Sequence, residues 1–67
     1  MFIKTIRKPL KYNIMVRCPG GEWIDGPTLT SYDAADEYMS ATLKGKLDCA
    51  IVVTRGGQFE YERRCYA

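Results

Sequence analysis

A chain of 67 residues has room for one domain, with a single sheet and a single helix sharing one core. Ten Lys and Arg against eight Asp and Glu give a formal charge of +2, too weak a global field to announce a nucleic-acid binder by itself. No run approaches the roughly 20 apolar residues of a membrane span, and the lack of histidine removes the usual near-neutral base and a common metal ligand.

From Met1 to Lys11 the chain carries Lys4, Arg7, Lys8 and Lys11 and no acid, and Pro9 disfavours helix just before it. Residues 1–9 read as a basic arm, or, through Phe2, Ile3 and Ile6, as an edge strand. Leu10 to Cys18 then alternates: Leu10, Tyr12, Ile14, Val16 and Cys18 point one way, and Lys11, Asn13, Met15 and Arg17 the other. Pro19-Gly20-Gly21 supplies a turn, and Trp23-Ile24-Asp25 resumes an extended pattern that Gly26-Pro27 is expected to end. Pairing Val16 with Ile24 turns Trp23 toward the side of Met15 and Arg17.

Thr30 and Ser31 are both good N-caps, with Thr30 three residues before Asp33 and Leu29 placed to staple the first turn. Tyr32, Ala35, Tyr38, Met39, Thr42 and Leu43 fall within an arc of about 140°, opposite Asp33, Asp36, Glu37, Ser40 and Lys44, as in an amphipathic helix. Gly45 marks its glycine stop. Cys49 to Val53 suits a strand, and a final strand follows Gly56-Gly57. A two-residue turn there would set Val53 and Ile51 against Glu60 and Glu62, so a three-residue loop, Arg55 to Gly57, is expected, aligning Val53 with Phe59 and Ile51 with Tyr61. The whole is one α+β domain, residues 1–67, of ββαββ order. It has an antiparallel sheet of four strands, or five if the arm pairs, and one amphipathic helix on one face.

Cys18, Cys49 and Cys65 are odd in number, follow no signal peptide and match no disulfide scaffold, which predicts a reduced, cytoplasmic protein. Spread along the chain, they form no metal-ligand cluster, so no metal and no cofactor are expected. Catalytic groups are also lacking. Ser31 and Ser40 suit a cap and a solvent-facing helix position, and Asp33 with Glu37 suits a solvated first turn more than acid/base work. The glycine pairs join strand to strand and open no helix, which argues against a phosphate loop.

What remains is surface. Met15, Arg17 and Trp23, with Arg55, Arg63 and Arg64 around the last hairpin, have the Trp, Arg and Met composition enriched at protein interfaces. Phe59, Tyr61 and Tyr66 interleave with these arginines as in single-strand nucleic-acid binders, although Glu60 and Glu62 oppose phosphate. A core this size rarely supplies more than about 3 to 5 kcal/mol, so a partner, itself included, is expected to support it, as monomer or homodimer.

In its layout, a strand, then a helix opening with Thr-Ser-Tyr-Asp-Ala-Ala (Thr30 to Ala35), an apolar strand and a short last strand ending Cys-Tyr-Ala, the chain resembles small phage-encoded inhibitors. These are the anti-CRISPR proteins that block type I surveillance complexes and the inhibitors of host RNA polymerase. The resemblance covers residues 10–66 and transfers no functional residue. It implies a non-catalytic protein that occupies a working surface of a larger host protein or ribonucleoprotein assembly in the host cytoplasm. The alternative is a small basic nucleic-acid binder using Lys4, Arg7, Lys8 and Lys11 with the last hairpin.

Overall fold

A computed structural model describes residues 8–67, so Lys4, Arg7 and the choice between arm and edge strand over residues 1–7 lie outside the described residues. Strand β1 is Leu10–Arg17, β2 Ile24–Leu29, helix α1 Tyr32–Lys44, β3 Asp48–Arg55 and β4 Gln58–Cys65. The strands form one antiparallel sheet in the order β2-β1-β3-β4. This is the α+β, ββαββ arrangement that the alternation and the helical arc predict. Neighbouring positions across the ladder share a face. Tyr12, Ile14 and Val16 lie beside Val53, Ile51 and Cys49 under the helix, whereas Asn13, Met15 and Arg17 lie beside Val52, Ala50 and Asp48 on the other side.

The helix begins where Ser31, in extended backbone, accepts a hydrogen bond from the Ala34 N–H at 3.4 Å. Ser31 is therefore the cap, and the Thr30–Asp33 box does not form. Ala35 and Met39 are buried against the sheet, while Tyr32 and Tyr38 sit at the rim, 51% and 38% exposed. The glycine stop is displaced by one residue. Gly45 has φ −76°, and the left-handed position falls on Lys46 at φ 62°. The Lys46 and Leu47 N–H groups donate to the Leu43 and Thr42 carbonyls, the two bonds of a Schellman motif.

Two strand expectations need correction. β2 does not stop at Gly26-Pro27 but runs on to Leu29, which pairs with Tyr12. Between Asn13↔Thr28 and Met15↔Asp25 only Ile14 of β1 faces Gly26 and Pro27, so these two residues form a bulge. An edge strand tolerates a proline there, because the missing N–H costs no ladder bond. Glycine suits the bulge as well, since a Cβ at Gly26 would lie 3.2 Å from the Ile14 carbonyl oxygen.

In the last hairpin the loop is the two-residue Gly56-Gly57 turn, both residues at positive φ as a type I′ turn requires, with Arg55 opposite Gln58. Glutamates are kept off the core by a bulge. Thr54 pairs with Phe59 but Val53 with Tyr61, so Glu60 is the extra residue and the register becomes Ile51↔Arg63 and Cys49↔Cys65. Tyr61 is thus on the helix side as expected, whereas Phe59 is on the other and 64% exposed. The core is Tyr12, Ile14, Ala35, Met39, Cys49, Ile51 and Val53, with Leu10, Val16, Leu29, Leu43 and Cys65 against it. All three cysteines are free thiols. Cys18 is exposed just past β1, and burial pushes the Cys49 thiol above its ordinary value.

Candidate protein-binding face

Opposite the helix, no element among the described residues covers the sheet. At one end of this open face β1 delivers Arg17 beside Asp48, the first residue of β3, and the Arg17 Nε–H donates to Asp48 Oδ2 at 2.8 Å. The Ala67 backbone N–H donates to the other oxygen, Oδ1, also at 2.8 Å. Asp48 is 3% exposed, a burial a carboxylate tolerates only when both oxygens are bonded, as here. The Ala67 N–H first, and the Arg17 hydrogen bond second, hold its carboxyl below the ordinary aspartate range against the opposing effect of burial.

Arg17 is also stacked. Its guanidinium carbon lies 4.5 Å from the centre of the Trp23 ring and 5.5 Å from that of Tyr66. Arg64, from β4, reaches the same indole at 5.8 Å and bonds Glu62 through Nε at 3.4 Å. Two aromatic rings and two guanidiniums thus gather around one anchored carboxylate, a cation–π arrangement that leaves N–H groups and ring edges to solvent.

Along the same face Met15 is half-buried, and Ala50 beside it is almost fully covered. A shallow depression of about 510 Å³ follows, lined by Met15, Val52, Asn13 and Thr28 at the β2 bulge. Its floor is polar but satisfied. The Asn13 side chain donates to the Val52 carbonyl at 2.8 Å and to Thr54 Oγ1 at 3.2 Å, and accepts from Thr28 Oγ1 at 3.1 Å. Among the described residues no three His, Cys, Asp or Glu side chains are grouped to hold a metal, and no helix is long and apolar enough to cross a membrane.

Of the six residues singled out in the sequence, Met15, Arg17, Trp23 and Arg64 therefore share the open face. Arg63 does not. Its Nη1 donates to Asp36 Oδ1 at 2.9 Å and to the Tyr32 hydroxyl at 3.3 Å, tying β4 to the helix on the opposite side. Arg55 sits at the far end of the sheet, bonded to Glu60 at 3.2 Å and to the Lys8 carbonyl at 2.7 Å. Lys8 and Lys11 are exposed at that same end. Asp48 and Ala67 escaped sequence reasoning, although the alternation of β1 and the start of β3 together place Asp48 beside Arg17.

No protein family, curated protein or solved structure matches the chain.

Proposed function

We propose that this protein is a small, non-catalytic inhibitor that docks through its open sheet face onto a larger host protein or ribonucleoprotein assembly and blocks it, acting in the host cytoplasm. The observation that carries this is the Trp23–Arg17–Tyr66–Arg64 stack fixed on Asp48. Trp, Tyr and Arg are the residues most enriched among interface hot spots, and here they lie beside half-buried Met15 and Val52 on a face the core does not use. Because Glu62 and Asp48 neutralise the two arginines, the face favours a mixed protein surface over a bare phosphate backbone.

The test is copurification with a tagged copy from its host, with and without nuclease. The wild type carries down a defined assembly, and Trp23→Ala with Arg64→Ala loses it while circular dichroism stays unchanged. Arg17 is left intact because it is the counter-charge of buried Asp48. Undiminished capture by the folded double variant overturns the proposed face.

A second reading, nucleic-acid binding by the basic end, is favoured by one contact. The Arg55–Lys8 bond fastens the described end of the basic segment to the last hairpin, beside Lys11. In that case affinity for single-stranded nucleic acid falls steeply with salt, and a flat salt response removes the idea.

A further inference from the structure

The two edges of the sheet are unlike. β2 is broken by the Gly26-Pro27 bulge, which removes a donor and twists the strand away, a familiar guard against edge pairing. β4 carries its own bulge at Glu60, but beyond it Tyr61 to Cys65 continue without proline or further bulge. The strand runs for eight residues, and all of it except Arg63 and Cys65 is exposed. As an edge strand it turns the N–H and C=O groups of alternate residues away from the sheet. The helix packs on β1, β2 and β3 and reaches β4 through Arg63, leaving Tyr61 43% exposed on the helix side.

We propose that β4 pairs antiparallel with β4 of a second copy, about a twofold axis at Arg63, so that two four-stranded sheets join edge to edge. Charge favours that axis, the one near the middle of β4 that sets opposite charges against each other. Centred on Arg63, the pairing sets Glu62 of each chain against Arg64 of the other, and does so twice by symmetry, with Tyr61 against Cys65. An axis at Glu62 sets that glutamate against itself, one at Arg64 sets arginine against arginine, and one at Tyr61 sets Glu60 against Glu62. An axis between residues would pair side chains from opposite faces. At the chosen centre Arg63 meets its own copy, but each guanidinium is turned to the helix and held by its Asp36 at 2.9 Å. Glu62 and Arg64, bonded to each other within the chain at 3.4 Å, can exchange that bond for the same bond across the seam. The open faces of the two copies lie on one side of the joined sheet, so the dimer does not depend on the docking proposal; Arg64 belongs to both, and Trp23→Ala alone, which lies off the seam, separates them.

Sedimentation equilibrium of the full chain over a dilution series tests the pairing, with twice the monomer mass expected at the concentrated end. Glu62→Arg and Arg64→Glu each place like charges opposite one another and weaken association by about tenfold or more. The double swap restores it, with circular dichroism unchanged throughout. Amide exchange supplies a readout without mutation, because the outward-facing amides between Tyr61 and Cys65 slow as concentration rises. A wild type that stays monomeric, single variants that associate like the wild type, a double swap that stays apart, or β4 exchange independent of concentration each overturn the proposal.

Discussion

On the helix side of the sheet, Tyr12, Ile14, Ile51 and Val53 keep between 1% and 7% of their surface exposed, and their neighbours are apolar. On the open side, Arg17, Trp23 and Met15 are half-buried and Arg64 and Tyr66 exposed, and the arginines and rings are held by stacking, with Asp48 bonded to Arg17 and Glu62 to Arg64. Close packing makes the first face intolerant of lost volume, since voids forfeit dispersion contacts and burial together. On the second face the stacked rings and Arg64 are held by exposed and half-exposed contacts, each worth little to folding, and the buried Asp48 carboxylate under Arg17 is the exception. One side of the sheet carries the close-packed core, and the other carries Arg17, Trp23, Arg64 and Tyr66 at or near the surface.

The largest expected effect follows from Met39, 2% exposed at the centre of the core. Met39→Ala costs about 2 to 5 kcal/mol, comparable with the whole stability of so small a domain, and urea titration followed by circular dichroism should find it largely unfolded. Trp23→Ala is the counterpart on the open face. It should shift the urea midpoint by less than about 1 kcal/mol equivalent while lowering affinity for a captured partner by about 2 kcal/mol. Equal losses of stability from the two substitutions would erase the distinction between the faces.

Acid sharpens the comparison. The folded pKa of Asp48 lies below its unfolded value near 4, so its contribution is fully present above about pH 4 and is lost as pH falls through the folded value. Urea midpoints measured down the acid range should therefore decline more steeply for the wild type than for Asp48→Asn. The smallest effect belongs to Lys46, whose left-handed backbone suits glycine better. Lys46→Gly should stabilise by about 0.5 to 1 kcal/mol, visible as a raised melting temperature with both faces unaltered.

Much of this architecture is legible in the sequence because it is periodic. The alternation of Tyr12, Ile14 and Val16 and the arc containing Ala35 and Met39 each follow from the repeat of one element, and the Val16↔Ile24 pairing follows from the first hairpin. The two bulges were not legible, since an extra residue at Glu60 or at Gly26-Pro27 leaves the surrounding alternation readable in either register. The two-residue turn, where three were expected, is what takes Phe59 off the helix side, and the bulge at Glu60 then returns Tyr61 to it. The site was half legible for a related reason. Met15, Arg17 and Trp23 belong to one hairpin, but their anchor, Asp48, comes from across the sheet, and a lone acid at a strand start reads as solvated.

The Arg17 Nε–Asp48 bond, with Asp48 itself fixed by the Ala67 N–H, leaves Arg17 with little freedom before any partner arrives. An unbound surface arginine ordinarily surrenders rotamer entropy when it is immobilised, about 0.5 to 1.5 kcal/mol for a side chain of this kind. Here the guanidinium is already pinned through Nε and stacked near Trp23 and Tyr66, so much of that loss has been taken in folding. Its remaining N–H groups are presented in a fixed fork, suited to a carboxylate or a carbonyl pair held equally still on the other side. The buried aspartate thereby fixes a surface arginine from beneath the surface it never reaches.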